Sequence, residues 1–398
     1  MGLISSTAAV LIATAAATTS EDWPQFRGPD LDGLSKETEW VSEGQEDNLW
    51  EGMVGLGYSA CVVVDGKLYT AGHDEEAGDD LVWCLDAETG EELWIHAFPS
   101  KLWNQLHGGG TLTTPTVFDG VVYALNREGN LFALDAETGE VHWERNLHED
   151  HELTVPTWGF SGSPLVTKDE LLLNVGRVLS LDPKTGKTRW ASKDYGHSYS
   201  SITPWERDGQ KILAVFNSKG LAVLTPEDGS EQGFQKWESK YDINAATPVI
   251  MDGQLFISSG MGRGCGLFDF VDGALTEVWA NKTMSVKMSS VVLAKGHLFG
   301  FDERVLKCLT PTGKATWSER GIGNGAVLGT PERLIMVTGK GELAVFAANT
   351  ESYEELSKVK LFEGEGEVYW TRPTLVNGLI YARSSLGHIV CRDHRQTK

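Results

Sequence analysis

The sequence predicts an all-β fold: an eight-bladed β-propeller of four-stranded antiparallel blades, with the last blade closed by an N-terminal strand. Three observations predict it. A ten-residue string recurs, at 85–94 (LDAETGEELW), 134–143 (LDAETGEVHW) and 181–190 (LDPKTGKTRW), with looser copies at 224–237, 268–279 and 309–317. Self-similarity with a period of about 40–50 residues marks a repeat architecture. Upstream of the string, Asp-Gly or Asn-Gly stands between two apolar runs, as at Asp65-Gly66, Asp119-Gly120, Asp252-Gly253 and Asn377-Gly378, with Asp208-Gly209 a looser case. That dipeptide is the strongest short-range hairpin signal. Finally, the C-terminal unit is one strand short, and 48–51 (NLWE) reads as the strand that completes it.

Each unit is thus two hairpins in series. The first hairpins lie at 61–71, 115–125, 164–174, 248–258, 290–300 and 373–383. In the second, the Asp after Leu accepts backbone N–H groups and favours a turn. The Gly after Thr supplies positive φ. The closing Trp (Trp94, Trp143, Trp190, Trp237, Trp279 and Trp317) carries a ring large enough to fill the wedge between units. A seventh unit, about 325–359, lacks the Trp and has Tyr353 and Leu356 near its outer strand. An eighth begins near Tyr369, with its third strand at 389–393. A four-stranded sheet with apolar side chains on both faces cannot stand alone, and radial packing buries both faces. Borrowing 48–51 closes the ring and leaves no open end.

These residues resemble the pyrroloquinoline-quinone-type repeat of eight-bladed quinoprotein propellers, whose tryptophan-docking motif reads L-D-x-x-T-G-x-x-x-W. The likeness runs from about Trp23 onward, and 23–29 (WPQFRGP) is similar to the start of a group of secreted bacterial propellers. Two branches are better understood: quinone-dependent alcohol dehydrogenases, and an outer-membrane assembly scaffold lipoprotein that binds protein partners and no quinone.

Length fits one propeller domain at 48–398, preceded by a docking segment at 21–47 and a signal peptide at 1–20. That leader has an apolar stretch at 8–17 and small residues at 15–17, but no Lys or Arg in its n-region. It is too short for a normal membrane span, and no Cys follows closely enough for a lipid anchor. A periplasmic or secreted protein is expected. The formal charge of −22, from 34 basic and 56 acidic residues, argues against nucleic acid or anionic lipid as partner. The five cysteines include no adjacent pair and no C-x-x-C. Cys84, Cys308 and Cys391 hold one equivalent strand position, and buried free thiols are expected.

In a propeller, the loops before the first strand and after the second open on one face around the axis, and by analogy that face carries function. There the sequence places Arg127, Trp158, Arg177, His197, Tyr199, Asn244, Arg263, Lys287, Trp370, Arg372 and Arg383. Arg and Lys suit carboxylate, sulfate or phosphate, and Trp158, Tyr199 and Trp370 suit a planar or sugar ring. A small anionic ligand on this face is expected, against the alternative that the arginines pair with neighbours and the aromatics merely pack. The acidic loop at 73–80 reads as solvated rather than as a cation site, because it lacks the calcium-loop order.

The resemblance implies that a quinone dehydrogenase would need a vicinal disulfide, calcium held by carboxylates and a catalytic aspartate. No residues of this chain are assignable to those roles. The expected function is an exported, non-catalytic binding or scaffold propeller with a protein partner or an anionic ligand or glycan and no required cofactor. The alternative is an alcohol or sugar dehydrogenase using pyrroloquinoline quinone and calcium.

Overall fold

A computed structural model describes residues 22–104, 107–207 and 209–396. The leader at 1–20 and Asp208 of one expected hairpin lie outside the described residues. The described residues form eight four-stranded antiparallel sheets, each of consecutive strands except the last. Blade 1 is Val62–Val64, Lys67–Asp74, Asp79–Asp86 and Glu92–Pro99. Blades 2 to 7 begin at Thr116, Leu165, Thr203, Val249, Val292 and Ala326. Blade 8 joins Thr374–Val376, Leu379–Arg383 and His388–Asp393 to the early strand Trp50–Met53. Trp50 lies opposite Cys391 and Met53 opposite His388.

The recurring string works across blade boundaries. Asp86 Oδ1 accepts the N–H groups of Glu88 and Thr89 and the Thr89 hydroxyl, and Asp135 repeats the pattern with Glu137 and Thr138. The Trp of most blades then docks on the turn of the next, whereas Trp237 donates to Ser259 Oγ at 3.0 Å and blade 7 has no Trp. Trp94 Nε1 donates to Ala136 O at 3.0 Å, Trp143 to Pro183 O at 3.0 Å and Trp279 to Pro311 O at 3.0 Å. The turn glycine lies flat under the incoming ring: a Cβ on Gly139 would stand 2.7 Å from Trp94. Trp50 makes the same contact with blade 1, donating to Ala87 O at 2.9 Å and covering Gly90. Burying one such ring removes roughly 200 Å² from water, worth about 4–5 kcal/mol.

Blade 7 ends in Glu355–Lys360 without a Trp, and a side chain from elsewhere fills that wedge. Trp40, 1% exposed, sits in one core with Ile335 and Val345 of blade 7 and Leu375 and Ile380 of blade 8. The Arg333 guanidinium covers it at 3.9 Å, and His394 meets it edge-on.

Residues 22–47 form a strap across the hairpin-turn face. Trp23 bridges Val63 of blade 1, and Pro24 O accepts Val117 N–H of blade 2. Arg27 then reaches Val291 O at the entry to blade 6, and Gly33 and Ser35 bond Gly329 of blade 7. Gln45 N–H donates to Asp393 O of blade 8. The strap crosses from blades 1 and 2 to blades 6 and 7, so it spans the axis of the ring.

Candidate functional site

A cavity of about 410 Å³ occupies the axis. It is built from one strand position repeated round the ring, the entry to each innermost strand. Ala60, Thr114, Ser163 and Ser201 line it from blades 1 to 4; Thr247, Ser290, Ala326 and Arg372 line it from blades 5 to 8. Two residues earlier in seven of the eight segments, a wider ring contains Tyr58, Leu112, Ser161, Tyr199, Ala245, Met288 and Trp370. Period-2 alternation along a strand puts both positions on the axial side. Phe26 of the strap also lines the cavity, on the side opposite the loop mouth.

The aromatic side chains come in pairs. Trp370 stacks on Tyr58 with centroids 5.4 Å apart and 19° between planes. Trp158 meets Tyr199 at 5.8 Å and 61°. Tyr58 donates its hydroxyl to His107 O at 3.0 Å, and the two rings are 5.5 Å apart. Burial lowers the His107 pKa and raises that of Tyr199 to about 12, so both are neutral near pH 7. Lys287 also lines the cavity, with Nζ 5.9 Å from the Trp370 ring. Among the described residues lining the cavity there is no Asp, Glu or Cys.

Five of the expected site residues therefore meet at this cavity: Trp158, Tyr199, Lys287, Trp370 and Arg372. The other six lie elsewhere. Arg383 is 1% exposed and gives its N–H groups to Gly55 O, Ser59 O, Thr70 Oγ1 and Ala71 O. It rivets blade 8 to blade 1, and burial lowers its pKa to about 10. Arg127, also buried, donates to Trp103 O and Trp158 O and holds the loop beside it. Asn244 donates to Asn217 O and Trp237 O. Arg263 lies over the Trp237 ring at 3.5 Å and donates to Glu238 O. His197 accepts Ser218 N–H through its carbonyl, and Arg177 is half-buried away from the cavity. Guanidinium donors satisfy buried carbonyls as readily as ligands, and at these positions carbonyls are nearer.

Sequence reasoning missed Tyr58, Phe26 and the Ser/Thr ring. A signal for the ring was present: Thr114, Thr247, Ser290 and Arg372 each stand five residues ahead of the first residue of their hairpin turn (Asp119, Asp252, Lys295 and Asn377). The tip of the loop at 73–80 is exposed as expected, at residues 75–78, but its two ends are buried. His73 and Asp80 face each other inside the extended hairpin at 2.8 Å, each 2% exposed at the side chain. Asn126 of blade 2 donates to the second Asp80 oxygen. All five cysteines are buried and free. No group of three His, Cys, Asp or Glu among the described residues is placed to hold a metal ion. No helix among them is long and apolar enough to cross a membrane.

Comparison with known proteins places this geometry. A family model described as outer membrane protein assembly factor BamB matches residues 10–193 and 78–319. The BamB of Salmonella typhimurium is 33% identical over 148 residues, 37% of this chain and 34% of that protein. A quinohemoprotein alcohol dehydrogenase of Pseudomonas putida is 29% identical over 167 residues, 38% of this chain and 21% of that one. The matches thus span about a third or less of these relatives' lengths. Among solved structures, BamB of Moraxella catarrhalis aligns with TM-score 0.62 and 16% identity, covering 88% of this chain and 98% of that one. The quinohemoprotein alcohol dehydrogenase of Comamonas testosteroni aligns with TM-score 0.69 and 14% identity, covering 97% and 82%. At these identities the structural likeness is one of fold. The repeated string, the eight docked blades and the family match over most of the chain together assign it: the protein belongs to the outer membrane protein assembly factor BamB family of quinoprotein-type propellers.

Proposed function

We propose that the protein is an exported, non-catalytic binding propeller that takes a partner protein or a small anionic ligand at the open mouth of its axial cup. The periplasm is the compartment this reading needs, in keeping with the outer membrane protein assembly factors among its relatives. One observation carries the proposal: the chemistry of the cup wall. The described wall residues offer aromatic faces, hydroxyls and the cations Lys287 and Arg372, and no carboxylate or thiol. That set suits recognition of a group rich in acceptor oxygens. Its one described imidazole, His107, keeps Nδ1 buried without a partner, and the wall offers it no nucleophile of lowered pKa.

The same wall tests the quinone reading. A planar quinone could lie between the aromatic pairs, but calcium takes oxygen ligands that include carboxylates. The described lining offers none, and the five cysteines are all buried and free. The residues present do not fit a calcium-assisted quinone site. The experiment is a titration of the purified protein with pyrroloquinoline quinone and calcium, followed by dye reduction with primary alcohols. No alcohol-dependent dye reduction is expected, with or without calcium. A stable spectral shift with alcohol-dependent dye reduction would replace the binding reading with the dehydrogenase one.

A further inference from the structure

We propose that the Ser/Thr ring of the axial cup reads a carboxylate, and that the ligand is a small planar acid whose ring lies against the aromatic side chains above. This rests on the binding reading given above and specifies the ligand class. The hydrogen bonds run in one order round the ring. Ala60 N–H donates to Thr114 Oγ1 at 3.0 Å, Thr114 N–H to Ser163 Oγ at 3.0 Å, and Ser163 N–H to Ser201 Oγ at 3.0 Å. Ser201 N–H donates to Thr247 Oγ1 at 3.3 Å, and Thr247 N–H to Ser290 Oγ at 2.9 Å. Each hydroxyl is therefore an acceptor from the blade before it.

A hydroxyl has one proton and two lone pairs. In all five residues one lone pair is taken by a backbone N–H, and the proton finds no acceptor among the described residues. The five side chains line the cavity and are only 2–8% exposed. Five hydroxyl donors thus border one space whose described wall carries no carboxylate. Buried donors left unmade are costly, so the occupant of this space must bring acceptors.

The charged side chains agree with that polarity. Arg372 holds the ring position in blade 8, donates one N–H to Ser290 O, and keeps Nε and Nη1 buried without a partner. Lys287 makes no ion pair with a described residue, although acidic residues outnumber basic ones by 22. Water would bring two protons for every two lone pairs, whereas a carboxylate brings acceptors alone. Above the ring, the Tyr58–Trp370 and Trp158–Tyr199 pairs offer flat apolar faces suited to a planar body. A cavity of about 410 Å³ is within the size range of small-molecule sites.

Benzoate is the probe, with benzamide and benzyl alcohol as controls of the same shape, read by calorimetry and tryptophan fluorescence on the full chain. Benzoate should bind about tenfold more tightly than benzamide, the difference expected for a hydrogen bond to a charged acceptor. Thr247→Val should reduce benzoate affinity about tenfold and benzamide affinity by less, because the amide oxygen is the weaker acceptor. Ala60→Ser, which adds a hydroxyl at the ring position blade 1 leaves bare, should strengthen benzoate binding. This second variant removes no existing bond, so it decides the matter if Thr247→Val does not fold. Equal affinity for acid and amide, absence of binding by either, or benzoate affinity unchanged in Ala60→Ser would overturn the proposal. Such a result with an inert quinone titration sinks the ligand class alone. Dye reduction in that titration sinks the binding reading as well.

Discussion

At the scale of single residues, the turn glycine of the repeated string meets two separate demands. Gly139 has φ +73°, and its missing Cβ is what lets the Trp94 ring lie 2.7 Å from the vacant position. Gly66, at the first hairpin turn of blade 1, has φ +75° but open space around it. Gly66→Ala should therefore lose only the backbone term, about 1–2 kcal/mol. Gly139→Ala should lose that and the cost of displacing a packed ring, about 3 kcal/mol in all. Urea denaturation of both variants checks this, and equal losses would show that the ring contact adds nothing. The conformational demand was legible in the sequence, because Thr-Gly after Asp is a local signal. The other was not, because Trp94 comes from the preceding blade. The arginines teach the same lesson. Arg127 and Arg383 read as charges at a mouth, but their roles follow from which carbonyls the fold brings within reach.

Among elements, the strap at 22–47 is the one the repeat does not explain. It carries no copy of the string, so the sequence showed a docking segment and not its path. Trp40 takes the place of the Trp that blade 7 lacks, and His394 fixes it there. His394 is 2% exposed, bonds Val41 O through Nδ1 at 2.8 Å, and leaves Nε2 buried without a partner. Burial is the main reason its pKa lies below the ordinary 6.5. The Val41 carbonyl and Asp393 favour the proton, while Arg392 and Arg333 oppose it. The sign follows from linkage: a detached strap leaves His394 to take a proton at its ordinary pKa, whereas the docked form resists it. Docking is thus fully stable above 6.5 and weakens as pH falls below it. Limited proteolysis within 40–47 should be faster at pH 5.5 than at pH 7.5, and His394→Gln should flatten the difference. If cleavage is equally fast at both pH values in the unmodified protein, this histidine does not govern the strap.

Seen whole, the molecule is a ring closed twice. The first closure is local to blade 8, where Trp50–Met53 pairs with His388–Asp393 and Trp50 docks on blade 1. Both the number of blades and this closure were readable from the sequence, because most blades repeat the same hairpin and turn signals. The second closure is the strap, which ties blades 1 and 2 to blades 6, 7 and 8 across the axis. A ring of repeats held only by neighbour contacts is quasi-one-dimensional, and its blades can open in succession from any weak junction. A brace between distant blades couples their unfolding. Arg27 is the brace point: it is 2% exposed and donates to Leu31 O, Asp32 O and, across to blade 6, Val291 O. Arg27→Ala leaves three carbonyls without these donors and should cost about 3 kcal/mol. Cooperativity is the sharper readout. In the unmodified protein, tryptophan fluorescence and far-UV circular dichroism should trace one coincident urea transition. In Arg27→Ala the two curves should separate, because blades 1 and 6 no longer open together. Coincident curves in the variant would mean that neighbour docking alone couples the ring, and that the strap serves only as the floor of the cup.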